Sequence, residues 1–485
     1  MAGYNSHSTF PVSNLPILTE NLPNVTVQLP IFNERHVIER LIDACAQLQY
    51  PSRKMRIQIL DDSTDQTTAI ARKRSSYWQE RGISIEVLNR GDRSGYKGGA
   101  LAHGLHFTAD EYIAIFDADF VPPGDFLLRT IPYLVQNPQA GFVQTRWGHL
   151  NRSYSPLTRS QALALDGHFL IEQVGRQSAG YAFGFNGSGG IWRRSCITDP
   201  EVGGWQTDTL TEDLDLSYRA QLAGWQPIFT PSIVAPAEIP PQLSAFKRQQ
   251  FRWAKGSIQT LRKCGRQVWQ SKWPFAKRCQ GVMHLGAYLL HPLLLIILLI
   301  TLPGLLLNID PAWPLAYLSL ASVGPPLLYA VAQKRLYPKD WLKNWSYIWL
   351  ITLMGFGICL NNSLAVWQAL QGKAGHFMRT PKFHIQSNLD EWHHSAYRLP
   401  VEPVFFGEVG LFVYALFTTI LALLYGKVWT ALFMLLYVGG FGMMIGIELW
   451  QAVTSTIRVS RSELTAISNN NSETIKHDRI GAEQI

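Results

Sequence analysis

The sequence predicts a Rossmann-like α/β domain over residues 23–280, followed by an α-helical transmembrane region over 281–452. Three observations carry this. Short β-rich runs alternate with segments of helical spacing through the first part of the chain. Two of those runs lead directly into acidic clusters. The long apolar runs fall mostly in about the last 200 residues, so a mean hydropathy of zero averages two unlike halves.

The elements follow in order. Residues 25–30 (VTVQLP) form a β-rich run ending in Pro, with Asn33-Glu34 just beyond, and 37–48 have helical spacing. Residues 56–60 (RIQIL) read as a second strand entering Asp61-Asp62, and 84–88 (SIEVL) as a third. Residues 112–116 (YIAIF) are a fourth, entering Asp117-Ala118-Asp119. Strands alternating with helices argue for a parallel sheet. Such sheets bind ligands outside the carboxyl ends of their strands. Acids that follow the strands immediately would therefore gather in one crevice.

Composition narrows the class. The 485 residues carry a formal net charge of +8. A basic excess fits a membrane protein with cytoplasmic basic flanks. The other reading, a nucleic-acid partner, finds no basic cluster interleaved with aromatics. Five cysteines, Cys45, Cys196, Cys264, Cys279 and Cys359, include no C-x-x-C pair. That odd set argues against a disulfide framework or zinc site and for reduced, mostly buried thiols. Residues 1–22 are polar and hold no apolar core of signal-peptide length, so no cleaved export signal is expected.

Five apolar stretches, near 284–308, 312–332, 346–369, 405–425 and 428–450, are each long enough to span a bilayer. The loop 333–344 carries Lys334, Arg335, Lys339 and Lys343; the loop 372–398 carries Lys373, Arg379, Lys382 and Arg398. The positive-inside rule places both in the cytoplasm. A single crossing by 346–369 would separate them. That stretch also holds Asn361-Asn362-Ser363, costly residues to face lipid. The expectation is that 346–369 lies in the interface or re-enters, leaving four crossings and a cytoplasmic C-terminus. The polar tail, 453–485, is expected to be disordered.

The chemistry-bearing motifs come in a fixed order. Asp61-Asp62-Ser63, Asp117-Ala118-Asp119 and Thr211-Glu212-Asp213 precede Gln249-Gln250-Phe251-Arg252-Trp253, which reads Q-x-x-R-W. Each pattern is weak alone. Together, ahead of membrane segments, they resemble the processive glycosyltransferases of family 2, which include cellulose synthase. Longer runs sharpen the likeness: 25–35 (VTVQLPIFNER), 57–65 (IQILDDSTD), 95–101 (GYKGGAL), 116–120 (FDADF), 143–147 (VQTRW), 183–192 (FGFNGSGGIW) and 212–220 (EDLDLSYRA). These resemble the cellulose-synthase-like A group, the β-mannan and glucomannan synthases of plants. The resemblance covers about 25–270 and implies a GT-A fold with a cytoplasmic catalytic domain. It implies an inverting hexosyltransferase using UDP-glucose or GDP-mannose. It further implies that Glu34, Asp61 and Asp62 contact the nucleotide. Arg379-Thr380-Pro381-Lys382-Phe383, within a loop over 376–390, resembles the gating loop that closes over the donor. Two departures stand out: the plant proteins carry a transmembrane helix before the catalytic domain, which this chain does not show, and the tail is too short for the cyclic-di-GMP domain of bacterial cellulose synthases.

Such an enzyme must hold a nucleotide-diphosphate sugar, neutralise the leaving diphosphate and deprotonate an acceptor hydroxyl. Asp117 and Asp119, two apart on extended backbone, point to one side. They can hold Mg²⁺ or Mn²⁺ against phosphate oxygens; the alternative is a solvated acidic turn. Asp213, with Glu212 beside it, is the candidate general base; the alternative is helix capping by Thr211 or Asp213. Arg252 offers a planar multi-donor cation to the diphosphate. Trp253 offers a face for a pyranose ring, and Gln249 a hydrogen bond to the acceptor sugar; an interfacial aromatic beside a snorkelling Arg is the bland reading. Lys97, in a Gly-rich turn, could reach phosphate. Gly187 and Ser188, in the Gly-rich loop before Ile191, could approach the acceptor, or form an ordinary tight loop. Gln144-Thr145-Arg146-Trp147 is similarly ambiguous.

Three functions compete. The first is a membrane-embedded β-glycan synthase that extends a polysaccharide and passes it outward. The second is a glycolipid synthase that transfers one hexose to a lipid. The third is a transporter with a decayed enzymatic domain, which the intact acidic set argues against. The Q-x-x-R-W and the gating-like loop favour the first.

Overall fold

Seven strands and sixteen α-helices lie among the described residues. A computed structural model describes residues 22–309, 324–373, 375, 379–387, 389–393 and 395–482, with side chains as far as Ser455. Residues 1–21, most of the polar N-terminal segment, lie outside it. The strands are β1 (Val25–Ile31), β2 (Met55–Asp61), β3 (Ser84–Leu88), β4 (Tyr112–Ile115), β5 (Ala140–His149), β6 (Gly190–Arg193) and β7 (Gln226–Ala237). They form one sheet in the order β3-β2-β1-β4-β6-β5-β7. Around it lie α1 (Ile38–Ala46), α2 (Thr67–Gln79), α3 (Tyr96–Leu105), α4 (Phe126–Gln136), α5 (Pro156–Gly167), α6 (Val174–Ser178), α7 (Arg194–Ile197) and α8 (Glu212–Leu222). β1 is buried almost throughout, as a strand covered on both faces must be. One core holds Val27, Ile57, Phe116 and Phe126 with α1, α2 and α4. The other holds Ile115, Phe142, Trp192 and Leu216 with α3 and α8.

The expectation of a parallel sheet needs one correction. β1, β2, β3 and β4 are parallel, but β6 is antiparallel to both β4 and β5. Gly190, where β6 begins, pairs with Ile115, where β4 ends. The chain between β5 and β6 therefore stays at the carboxyl end of the sheet, and β6 can only run back. That route puts the Gly-rich loop of Gly187 and Ser188 beside the acids that follow β4. The first four strands agree with the sequence reading; β5, β6 and β7 were not assigned there.

The remaining helices are α9 (Leu243–Gln270), α10 (Phe275–Leu285), α11 (Leu290–Leu306), α12 (Gly324–Leu336), α13 (Trp345–Gly357), α14 (Cys359–Leu370), α15 (Val404–Leu424) and α16 (Val428–Ala482). Among the described residues three segments are long and apolar enough to cross a membrane: Ala287–Leu306, Val404–Leu424 and Val428–Ser455. The apolar stretch 312–332 falls partly outside the described residues. The stretch 346–369 is a helix pair bent by 46° between α13 and α14, the shape of a broken span or of a re-entrant loop. Its polar residues do not face outward. Asn361 Nδ2 donates to the Lys247 carbonyl at 3.1 Å, Asn362 Nδ2 meets His291 Nε2 at 3.0 Å, and Ser363 Oγ donates to the Cys359 carbonyl at 2.6 Å. Protein partners remove the lipid-exposure cost that argued against a crossing.

The tail also departs from expectation. The stretch expected to be disordered continues α16 as helix to Ala482. No Gly or Pro occurs from 447 to 480 to stop it. Extending an existing helix avoids the cost of a new nucleus. All five cysteines are unpaired; four are buried and Cys279 is partly so.

α9 lies tightly against the start of α8, where Gly256 meets Thr211. A Cβ at Gly256 would stand 2.5 Å from Thr211 Cγ2 and 2.9 Å from its backbone nitrogen. Gly256→Ala gains up to about 1 kcal/mol of helix propensity against about 1–3 kcal/mol of overpacking. Overpacking against backbone wins, so the unfolding midpoint of the purified variant should fall by several degrees; an unchanged or raised midpoint would mean that α9 shifts freely.

Candidate active site

The carboxyl ends of β1, β2 and β4 open into one cavity of about 160 Å³. Phe32 and Glu34 come from the loop after β1, Asp62 from the turn after β2, and Asp117 and Asp119 from the turn after β4. The first turn of α8 adds Glu212 and Asp213, and α9 adds Gln249, Arg252 and Trp253. Gly187 lines the opposite wall, and Arg379, Thr380 and Lys382 close over the top. Residues more than three hundred apart in sequence thus share one space.

Lys97, on the first turn of α3, ties the acids together. Its Nζ lies 2.5 Å from Asp117 Oδ1 and 3.8 Å from Glu212 Oε1, and donates to the Gly187 carbonyl at 2.8 Å. Burial alone would lower this ammonium's pKa, but Asp117 and Glu212 outweigh it and the net shift is upward. Gly187 itself has φ +81°, and a Cβ there would stand 3.1 Å from Asp213 Oδ2. Both the left-handed backbone and the close approach require glycine.

Asp213 is partly buried in the first turn of α8. A helix N-terminus favours the carboxylate, yet burial and the neighbouring Glu212 prevail and push its carboxyl upward. Thr211, the N-cap residue of α8, makes no side-chain capping bond. Glu34 is pushed up to about 7 by burial, against the opposing pull of Arg379 and Lys382.

The loop resembling a gate makes specific contacts. Lys382 Nζ bonds Asp119, and Arg379 lies 3.6 Å from Glu34. The Phe383 amide donates to Glu238 Oε1 at 2.9 Å. Residues 376–378 and 388 of the expected loop lie outside the described residues.

Two expected contact residues stand behind the wall. Asp61 is 1% exposed, and its Oδ1 accepts the Ser63 amide at 2.9 Å, so it shapes the turn that presents Asp62. Ser188 is fully buried, and its Oγ accepts the Asp117 amide at 2.8 Å. Ser188 therefore sets the position of Asp117 and does not reach an acceptor.

Several residues that line the cavity or hold its walls were not named from sequence. Arg90 grips Asp62 through two bonds, at 2.9 and 2.6 Å, and donates to the carbonyls of Ser94 and Tyr96. Arg93 lies over the Phe32 ring at 3.4 Å. Both follow β3, whose carboxyl end was a readable signal. Glu238 follows β7, a strand not assigned, so nothing pointed to it. Trp147, ambiguous in sequence, lines the cavity and donates to the Ser188 carbonyl at 3.0 Å.

A second cavity of about 380 Å³ adjoins the first, sharing Asp213, Gln249 and Trp253. It reaches Ala287 and Tyr288 at the foot of the first candidate span. One wall is a π-helical turn, His168–Gln173, in which His168 Nδ1 lies 3.0 Å from Glu172 Oε2. Such turns are rare and cluster at functional sites.

Asp117 and Asp119 fit a hard divalent cation: two carboxylates at one strand end, each now compensated by a lysine. Among the described residues no group of three His, Cys, Asp or Glu is placed to hold a metal. Most of the ligands of such a cation would therefore be diphosphate oxygens and water.

Residues 23–256 match the family described as glycosyltransferase like family 2. That segment is a family 2 glycosyltransferase domain with a GT-A-like mixed α/β sheet. Its curated relatives are of the cellulose-synthase-like A group. The chain is 43% identical over 250 residues to probable glucomannan 4-beta-mannosyltransferase 3 of Oryza sativa subsp. japonica, covering 51% of this chain and 45% of that protein. It is 42% identical over 254 residues to glucomannan 4-beta-mannosyltransferase 9 of Arabidopsis thaliana, covering 52% and 47%. The chain spans about half the length of the curated relatives it matches. Among solved structures, the mannosyltransferase PcManGT of Pyrobaculum calidifontis, in complex with GDP-Man and Mn2+, overlaps with a TM-score of 0.48 at 21% identity, over 73% of this chain and 89% of that one. A likeness that loose carries nothing further.

Arg90→Leu would leave the Asp62 carboxylate buried without its cation, a change that costs about 3–5 kcal/mol when a buried pair is broken. Titration calorimetry should show UDP or GDP affinity falling at least tenfold, as far as in Asp62→Ala. Full affinity in Arg90→Leu would remove Asp62 from the nucleotide site.

Proposed function

We propose that this protein is a membrane-bound inverting hexosyltransferase that moves a hexose from a nucleotide-diphosphate sugar to a growing β-linked polysaccharide. The observation that carries this is one cavity joining Asp213, the Asp117 and Asp119 pair, and the Gln249, Arg252 and Trp253 face of α9. The relatives' names favour 4-beta-mannosyl transfer, hence GDP-mannose over UDP-glucose as donor.

In this mechanism Asp213 accepts the proton of the acceptor hydroxyl. The acceptor oxygen bonds to the anomeric carbon as the bond from that carbon to the diphosphate oxygen breaks. The raised carboxyl of Asp213 suits a base that must compete for a weakly acidic proton. The departing diphosphate carries negative charge, which Lys97, Arg252, Arg379 and Lys382 meet from three sides of the cavity. Asp117 and Asp119 would hold Mg²⁺ or Mn²⁺, whose charge would neutralise the diphosphate further. Glu34, with Asp62 and Arg93, borders the nucleotide end. Trp253 stacks the acceptor sugar, and Gln249 bonds it. The second cavity then leads the acceptor chain from Asp213 toward the first membrane segment, which couples synthesis to export.

Asp213→Asn should lower transfer by about 10²–10⁴-fold while leaving UDP or GDP affinity nearly unchanged. An equal fall in nucleotide affinity would make Asp213 a ligand. In the parent, kcat/KM for transfer should fall as pH is lowered toward 6. The base must be ionised, and its raised pKa moves the acid limb up from about 4. A limb that stays near 4 would exclude Asp213. Product sensitive to an endomannanase supports the polysaccharide; product extracted into chloroform would mean a lipid acceptor.

The donor is made in the cytoplasm, so the loop at Arg379 belongs on that side with the C-terminus. In intact cells, Gln371→Cys and Ser468→Cys, each in a background without the native cysteines, should both resist a membrane-impermeant thiol reagent. Labelling at 371 alone would mean that 346–369 crosses once, and the gating role of Arg379 would be dropped.

A further inference from the structure

Six residues before Trp253, α9 carries a lysine that the proposed reaction does not use. Lys247 is fully buried. Its Nζ lies 2.6 Å from Glu408 Oε2 on α15 and 2.5 Å from Glu448 Oε2 on α16. Both glutamates sit inside segments apolar enough to span a membrane, and their side chains are 0% and 3% exposed. Ser244 Oγ donates to the other oxygen of Glu448 at 3.2 Å. The remaining oxygen of Glu408, Oε1, is buried and has no hydrogen-bond partner among the described residues. Asn361 of α14 caps the Lys247 carbonyl.

Stability does not account for three ionisable groups here. Burying a charge triad in place of apolar side chains gains little or nothing. Intramembrane ionisable groups are costly and are kept where they act. What the triad does supply is direction. An α-helix turns by about 100° per residue, so Gln249 and Trp253 project about 200° and about 240° around α9 from Lys247. Lys247 points into the membrane helices while Gln249 and Trp253 point into the cavity. A rotation of α9 that moved either sugar-facing side chain would have to break both ion pairs.

We propose that Lys247, Glu408 and Glu448 form a positioning device: they lock the rotation of α9 to two membrane helices and so hold Gln249 and Trp253 against the acceptor. Movement of α15 or α16 then reaches the reaction centre through this lock. For its kinetic arm the inference rests on the transferase reading above.

Two variants of the full chain test it. Lys247→Met/Glu408→Gln/Glu448→Gln removes every charge at nearly constant volume. Glu448→Asp keeps every charge but withdraws one carboxylate by a methylene. Each is measured for transfer, for donor hydrolysis and for unfolding midpoint. Each is also combined with Gln250→Cys, in a background without the native cysteines, to read the labelling rate of a thiol on the cavity side of α9. The expected result is transfer reduced at least tenfold, donor KM within twofold, and a labelling rate changed at least threefold. The triple variant should keep the parent's midpoint. Parent-like transfer and labelling in either variant would overturn the proposal. So would losses of transfer and hydrolysis that merely follow a lowered midpoint. If the triple variant fails to fold, Glu448→Asp decides. If the parent shows no transfer with any nucleotide sugar, the transferase reading fails, and the labelling arm still decides whether the triad sets the rotation of α9.

Discussion

The cavity depends on the ammonium of Lys97. Asp117, Glu212 and Asp213 arrive from a strand end and a helix start, and all three crowd a partly desolvated space. Carboxylates this close repel, and burial penalises each one. Lys97 bonds one, faces the second and pins the Gly187 carbonyl that borders the third. Only glycine can bring its backbone there. The Gly-rich loop, the acidic turn and the start of α8 are therefore one electrostatic unit.

The same logic extends outward. Lys382 compensates Asp119 and Arg379 faces Glu34, so the loop over the cavity is held by the acids it covers. A diphosphate brings the opposite charge and would compete for those cations. Arg90 holds Asp62 from beneath, and Asp61 and Ser188 fix the turns above them.

α9 joins the two regions because its faces differ. One face lines the cavities, and the other packs on α14 and reaches α15 and α16 through Lys247. Gly256 lets it lie against Thr211, directly before Glu212 and Asp213. The cavity-bearing domain and the apolar helices are thus tied together through α9.

The sequence by itself determined much of this. β-rich apolar runs marked β1, β2 and β4, the last two leading straight into acids, because strand ends and loops differ in what they bury. The order of the acids and Q-x-x-R-W marked the chemistry, because that order is local to each motif. Other features belonged to the tertiary structure alone. The direction of β6 depended on which end of the sheet the chain returned from. Asn361, Asn362 and Ser363 looked costly because sequence cannot say whether a polar side chain in an apolar helix faces lipid or a partner. Glu408 and Glu448 were visible as acids among apolar residues, but Lys247 lies 161 residues from the first and 201 from the second. Asp61 and Asp62 are adjacent and chemically alike, and only packing placed one on the wall and the other behind it. Pairing across such distances is decided by three-dimensional proximity, which no local pattern encodes.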